Sequence, residues 1–253
     1  MTEVARYMKR LLDVTFAAVA LIALAPLLLT AGALIWLTDF RSPIYPGVRV
    51  GRNGRPFRIA KLRTMVPDAE RTGVLSTAAD DQRVTAIGRV LRRLKIDELP
   101  QLWSILKGNM AFVGPRPNVS KEVGLYSEEE RILLTIRPGL TDYASIVFSD
   151  LATILHGSTD PNLDYRRLIR PWKSRLGLHY VRTRGLATDL ALIVLTAVCL
   201  VSPALARRGV QGLLRRTGAS VDLIRVAGRA DPLVPSLPPG VTELSWGSHL
   251  NYS

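Results

Sequence analysis

Cysteine is nearly missing from this chain: Cys199 stands alone in 253 residues. No intrachain disulfide can form, and a thiolate zinc cluster is excluded with it. The three histidines, His156, His179 and His249, share no metal-ligand spacing and read as structural or exposed side chains. There is no Walker loop, no Rossmann fingerprint and no internal repeat. Acidic residues are also short, 21 against 34 basic ones, which leaves a formal net charge of +13 and a pI near 10.5. Such a chain calls for an anionic partner: nucleic acid, an acidic membrane surface or a phosphorylated substrate. With 47% hydrophobic and 22% charged residues, wholesale disorder and collagen-like repetition are out. The length allows one to two domains with a real core.

The mean hydropathy of +0.16 is high for so charged a chain, so its apolar residues are concentrated. Residues 14–37 carry no charge at all, enough helix to cross a hydrocarbon core about 30 Å thick. A straight transmembrane anchor is the plain reading. Pro26, mid-run, removes a backbone hydrogen bond and crowds the preceding turn. Arg6, Lys9 and Arg10 precede the run, and Arg41, Arg49, Arg52, Arg55, Arg58, Lys61 and Arg63 follow it. Basic residues prefer the cytoplasmic side, so a straight span would strand one cluster. A re-entrant helix broken at Pro26 keeps both in the cytoplasm and is the favoured reading, provided protein covers the break. Ala23-Leu24-Ala25 looks like a signal-peptide cleavage site, but Pro26 would follow the cut and the apolar run continues beyond it.

Further along, Asn53-Gly54 signals a hairpin, with Val48, Val50, Phe57 and Ile59 at strand spacing. Residues 67–82 read as a surface loop. Ile87, Val90, Leu91 and Leu94 recur at helical spacing within 84–94, and a second helix is expected from about Glu98 to Lys107, stopping at Gly108. Pro138-Gly139 fits the centre of a type II turn. Residues 190–206 are a shorter apolar stretch, expected to lie on the membrane or against the first helix. Tyr165, Arg166, Arg167, Arg170, Trp172 and Lys173 suggest either nucleic-acid stacking or, preferably, a basic aromatic face at the headgroup level.

Asp97-Glu98-Leu99-Pro100 is the focal point for chemistry. Asp97 as a helix N-cap with Glu98 complementing the dipole is one reading, without chemistry. The other rests on the company: Arg92, Arg93 and Lys95 upstream, and Arg116 on the loop Gly114-Pro115-Arg116-Pro117. Carboxylates amid cations are expected to stay ionised. An ionised Asp97 suits nucleophilic attack, as in aspartyl-phosphate enzymes, a neighbouring Glu98 suits Mg²⁺ on a diphosphate, and the arginines suit phosphate.

Lys9-Arg10-Leu11-Leu12-Asp13 and Phe57-Arg58-Ile59-Ala60-Lys61-Leu62-Arg63-Thr64-Met65 resemble the opening of the bacterial sugar transferases, also called monotopic phosphoglycosyl transferases. Asp97-Glu98-Leu99-Pro100-Gln101-Leu102, Leu106-Lys107-Gly108-Asn109-Met110, Val113-Gly114-Pro115-Arg116-Pro117, Arg137-Pro138-Gly139-Leu140-Thr141 and Asp189-Leu190-Ala191-Leu192 continue that resemblance, which covers residues 8 to about 198. As a set these motifs are highly specific. The resemblance implies a ping-pong transfer in which Asp97 takes a phosphosugar from a UDP-sugar, UMP leaves, and undecaprenyl (polyprenol) phosphate collects it. It assigns Glu98 to Mg²⁺ and Arg92 and Arg116 to phosphates. Lys61, Arg63 and Arg137 join them as substrate-binding cations.

Two departures stand out. Ala25-Pro26 replaces the Ser-Pro frequent at the family's membrane break. Residues 142–149, Asp142-Tyr143-Ala144-Ser145-Ile146-Val147-Phe148-Ser149, replace a segment that in many members reads Gly-Trp-Ala-Gln-Val-Asn-Gly-Arg, which points to altered specificity. The expected protein is α+β and mainly helical, with one short β-hairpin and interfacial helices. Its expected parts are a re-entrant membrane helix (1–40), a catalytic domain (41–208) and a partly disordered tail (209–253). It is expected at the cytoplasmic face of the bacterial inner membrane, in contact with anionic lipid and not nucleic acid, with room for a homodimer. The competing function is a catalytically inactive scaffold of the same fold that recruits glycan enzymes.

Overall fold

The computed structural model describes residues 3–69, 78 and 80–242. The chain opens with α1 (Glu3–Asp39), a single long helix. Helical structure runs on through Pro26 instead of breaking there; Thr30 Oγ1, one turn on, donates to the Pro26 carbonyl at 2.9 Å. A proline removes one ladder bond, which a long helix can lose without ending.

α1 lies against the rest of the chain at both ends. Near its start, Lys9 Nζ meets Asp189 Oδ2 at 2.5 Å, Arg10 donates to the carbonyls of Ile105 and Leu106, and Phe112 N donates to Asp13. Ala17 then packs among Ile59, Leu102, Ile105 and Met110, and Ala31 and Ile35 pack on Leu62 and Leu91. At its end Asp39 takes a bidentate grip from Arg63 at 2.5 and 2.6 Å. The outward side is apolar and bare: Leu11, Phe16, Val19, Ile22, Leu29, Leu34, Trp36 and Leu37 are all exposed.

The expected hairpin is present. β1 (Ile44–Val50) pairs antiparallel with β2 (Pro56–Leu62), and Asn53 and Gly54 both take positive φ in the connection, as an Asn-Gly turn requires. The 67–82 loop falls mostly outside the described residues. α2 (Ala86–Arg93) is capped by Thr85, whose Oγ1 accepts from Gly88 N. A Cβ at Gly88 would stand 2.0 Å from the Thr64 carbonyl oxygen, so only glycine lets α2 press onto the end of β2. A 3-10 turn (Ile96–Gln101) leads into α3 (Leu102–Leu106).

A second, parallel pair, β3 (Ala111–Val113) with β4 (Gly139–Thr141), was not anticipated. It corrects the type II turn expected at Pro138-Gly139. Gly139 is the first residue of β4 and is not among the positive-φ residues. Its small size serves close approach, since a Cβ there would stand 2.1 Å from Gly114 N. Between the strands lie α4 (Ser120–Val123) and α5 (Glu128–Arg131).

The remainder is helical: α6 (Tyr143–Val147), α7 (Leu151–Ile154), α8 (Pro161–Asp164), a π-helical turn (Tyr165–Ile169), α9 (Arg170–Thr183), α10 (Leu186–Val201), α11 (Pro203–Arg216) and α12 (Val221–Gly228). The main core joins Tyr143, Ile146, Leu176, Tyr180 and Leu192 to Val210, Leu214, Leu223 and Ala227. The boundary expected at 208/209 therefore falls inside α11, and the described part of the tail belongs to the core. Beyond α12 the chain straps the π-helical turn, α9 and the cap of α5, with Ser236 N on the Arg167 carbonyl, Arg175 Nη2 on the Leu237 carbonyl and Ser127 Oγ on the Pro239 carbonyl; residues 243–253 lie outside the described part. α10 buries Leu192 but leaves Leu190, Val194, Leu200 and Val201 exposed.

The basic aromatic stretch 165–173 turns inward, not to a headgroup layer. Arg166 pairs with Glu122. Arg170 pairs with the fully buried Glu130 at 2.6 Å, and Ser174 Oγ donates to the same carboxylate. Glu130→Ala should cost about 3 kcal/mol, because it leaves a buried guanidinium short of its counter-charge. A denaturation midpoint equal to that of the parent chain would refute that cost.

Candidate active site

The 3-10 turn is entered through Lys95, a non-glycine residue in the left-handed region (φ 58°). Asp97 is the second residue of this turn and not its N-cap, and its carboxylate accepts no hydrogen bond among the described residues. The capping reading therefore does not hold. Asp97 is 7% exposed, with the charges of Glu98, Lys61, Arg92 and Lys95 around it.

Glu98 sits differently. Its Oε1 accepts from Lys61 Nζ at 2.9 Å and from Arg116 Nη2 in a second, very short contact. Lys61 comes from β2 and Arg116 from the loop after β3. Arg116 is further fixed by the Leu140 carbonyl. Arg92, on α2, is oriented by Thr64, whose hydroxyl accepts from its Nε at 2.7 Å, and its Nη atoms keep no protein partner among the described residues. Four cations from four segments thus surround two adjacent carboxylates.

The two carboxylates diverge electrostatically. Burial alone would raise both, but the charges of Arg116 and Lys61 hold Glu98 well below the usual carboxylate range. Burial, and then the Glu98 charge, raise Asp97 against the pull of Lys61 and Arg92. The expected stabilisation of the anion by cations and hydrogen bonds therefore applies to Glu98 and fails to lower Asp97. Chemically, Glu98 is held as an anion by its two ion pairs, and Asp97 presents a carboxylate that no hydrogen bond occupies and whose affinity for a proton is raised.

Lys61, Arg92 and Arg116 are brought together with Asp97 and Glu98. Arg63 is not, because it is spent on Asp39. Arg137 also lies apart, donating to the Gly108 carbonyl at 2.8 Å and feeling the charges of Arg10 and Arg52. Pro26 is in α1. For a metal, Glu98 Oε2 has no recorded hydrogen bond, and the described residues hold no group of three or more potential metal ligands. Mg²⁺ commonly takes one or two carboxylates and completes its shell with substrate phosphate and water, so Glu98 Oε2 is the oxygen here that could contribute to such a shell.

Sequence reasoning missed the other side of Arg116. A cleft opens there, lined by Pro115, Arg116, Asp142, Ser145, Tyr165 and Lys173 among others. Asp142 caps α6 through Ser145, accepting from its N and Oγ at 2.7 Å each. The Asp-x-x-Ser spacing of a cap was the available signal. Lys173 places its ammonium 5.2 Å from the Tyr165 ring centroid; the sequence marked both only as part of a basic aromatic stretch, not as cleft residues.

A sequence model described as bacterial sugar transferase matches residues 4–203. The chain is 36% identical over 209 residues to the exopolysaccharide production protein ExoY of Sinorhizobium fredii, covering 76% of this chain and 85% of that one. It is 36% identical over 197 residues to the UDP-glucose:undecaprenyl-phosphate glucose-1-phosphate transferase of Caulobacter vibrioides, covering 77% and 70%. It is 31% identical over 210 residues to the undecaprenyl-phosphate galactose phosphotransferase of Salmonella typhimurium, covering 76% of this chain and 40% of that longer one. The chain belongs to the bacterial sugar transferase family.

Enclosure and the Arg116 charge push the Lys173 amine down to about 8. Below that pH the amine is protonated and unreactive; above it, free. Competitive acetylation should therefore give Lys173 a midpoint near pH 8, while exposed lysines react with midpoints near their usual ~10.4. A Lys173 midpoint matching theirs would contradict its enclosure.

Proposed function

We propose that this chain is a phosphoglycosyl transferase that moves a sugar-1-phosphate from a UDP-sugar to undecaprenyl phosphate, the first membrane step of glycan assembly. The observation that carries this reading is the unbonded, raised Asp97 beside a clamped, anionic Glu98 within four cations. The relatives' names supply the donor and acceptor classes.

In the first half-reaction an Asp97 carboxylate oxygen attacks the β-phosphorus of the UDP-sugar. The bond from that phosphorus to the bridging oxygen breaks, and UMP departs with the oxygen and its electron pair. The enzyme is left with a sugar phosphate esterified to Asp97. A phosphate oxygen of undecaprenyl phosphate then attacks the same phosphorus and expels the Asp97 carboxylate, giving undecaprenyl diphosphate sugar. Arg92 and Arg116 hold phosphate oxygens through their planar forks, and Lys61 keeps Glu98 in place. Bound Mg²⁺, held by Glu98, would neutralise charge on the diphosphate.

The same reading puts α1 in the cytoplasmic leaflet of the bacterial inner membrane as a re-entrant helix bent at Pro26. What supports it is that both ends of α1 rest on one body while its outward side exposes a run of large apolar side chains, the kind of surface that marks a membrane or partner contact. Asp97 would then sit beside anionic headgroups, where a soluble nucleotide sugar and a lipid phosphate can meet.

Detergent-purified protein with Mg²⁺, undecaprenyl phosphate and a UDP-sugar panel should release UMP with one sugar. Asp97→Asn should lower turnover at least about a thousandfold by removing the nucleophile, and Glu98→Gln should cause a large loss with weaker Mg²⁺ dependence. Near-normal turnover by Asp97→Asn would sink the covalent route, and silence from folded protein across the panel would favour the inactive scaffold. For topology, cysteines at positions 5 and 45 should be labelled from the same, cytoplasmic side; labelling from opposite sides would rule out re-entry.

A further inference from the structure

The cleft beyond Arg116 contains a pair of opposite charges that do not meet. Asp142 uses Oδ1 on Ser145 N and Oγ, and its Oδ2 has no protein partner among the described residues. Lys173 makes no hydrogen bond or ion pair there either, resting only over the Tyr165 ring. The two side chains feel each other's charge and both line the cleft, yet no ion pair, with N···O of 4.0 Å or less, joins them. Opposite charges enclosed by protein attract strongly, so a gap held between them by packed elements is room for a ligand with both donors and acceptors. Packed elements do hold it: Asp142 is fixed as the cap of α6, and Lys173 sits on α9 one residue before Ser174, which is locked to the buried Glu130.

The character of the lining narrows the ligand. Both aromatic rings of the cleft already carry a cation over a face, Lys173 on Tyr165 and Arg170 on Tyr126. Faces covered in this way give no platform for a nucleobase, which binds chiefly by stacking. A free carboxylate oxygen, an ammonium and a serine hydroxyl instead match vicinal hydroxyls, which donate and accept at once. Pro115 and Pro138 offer apolar surface for a ring's C–H face. Arg116, shared by the cleft and the Glu98 clamp, would hold the phosphate to which those hydroxyls are tethered.

We infer that Asp142, Ser145 and Lys173 form the subsite that receives the hexose of the sugar nucleotide and selects it by its hydroxyl pattern. This rests on the proposed transferase reading. It also gives the 142–149 departure a physical meaning: most of that segment is core, with Tyr143, Ile146 and Val147 buried, while Asp142 and Ser145 face the cleft.

The test is equilibrium binding to the full-length chain in detergent, in an Asp97→Asn background so that the donor is not consumed. UDP-glucose, UDP-galactose, their N-acetylated forms and UDP are compared. Lys173→Met should weaken the preferred UDP-hexose about tenfold, as expected for loss of a charge-assisted hydrogen bond, and change UDP by less than about twofold. Lys173→Arg should restore part of the loss, and Asp142→Asn, which keeps the cap oxygen, should alter the ranking of the sugars. Unchanged UDP affinity also reports that each variant is folded. Equal losses for UDP and UDP-hexose would assign Lys173 to the nucleotide and overturn the subsite, as would no loss for either. If the Asp97→Asn parent binds UDP but gains nothing from any sugar, the subsite fails while the donor class survives; if it binds no uridine nucleotide, the transferase reading itself falls.

Discussion

Glu98 is held between Lys61 and Arg116, and through that one carboxylate three distant segments become a single site. Burying an anion is costly unless cations surround it and bond to it, so the turn around Glu98 can be enclosed only with both partners in place. Each partner has its own foundation. Lys61 ends a strand whose register with β1 is set by the Asn53-Gly54 turn. Arg116 follows β3, which reaches β4 only because Gly114 and Gly139 allow the backbones to touch. Arg92 arrives by the close approach of Gly88 to Thr64, the residue that also orients its guanidinium. With Lys95, the four cations outnumber the two carboxylates, and the surplus positive charge is what an incoming diphosphate would neutralise.

Much of this was legible because it is local. Asn53-Gly54 dictates a hairpin whatever surrounds it, and the Ile87–Leu94 periodicity marks an amphipathic helix. Asp97 and Glu98 stand out as adjacent carboxylates in a basic neighbourhood, and the family motifs carry Arg92, Arg116 and Lys61 with them. What stayed hidden depends on partners far along the chain. Arg63 looks like another site cation until Asp39 claims it. Residues 165–173 have the composition of a headgroup face, but Glu122 and Glu130 draw their arginines inward. The Pro-Gly pair at 138–139 reads as a turn because a sequence does not show Gly114 pressing against it. Lys173 has no local signature as a cleft residue: its environment comes from Tyr165 one side and Arg116 and Asp142 across the cleft.

The adjacent carboxylates show how neighbours in sequence acquire opposite properties. Asp97 and Glu98 share a turn and a cationic surrounding, and desolvation pushes both the same way. The difference is contact. Glu98 touches two cations and stays an anion, whereas Asp97 feels cations only at a distance and feels Glu98 as a like charge next door. Under the proposed mechanism this division is useful, since a carboxylate satisfied by direct ion pairs is a poor nucleophile. Pairing Glu98 leaves Asp97 free to bond to phosphorus.

The strand that carries Lys61 also ties the site to the long apolar helix α1. Along Lys61-Leu62-Arg63 the first side chain reaches Glu98, the second packs on Ala31 and Ile35 of α1, and the third grips Asp39 at the helix end. Three successive residues thus join the Asp97–Glu98 turn to the apolar helix, with no flexible linker between. The Arg63–Asp39 pair is bidentate, at 2.5 and 2.6 Å. Under the proposed mechanism a lipid phosphate would enter at a depth set by the bilayer, and Asp97 would have to stand at that depth to meet it. Under the proposed reading, in which α1 lies in the bilayer, the strand shared by helix and site would carry the depth of α1 to Asp97, with Arg63 acting through Asp39 although it touches neither carboxylate of the site.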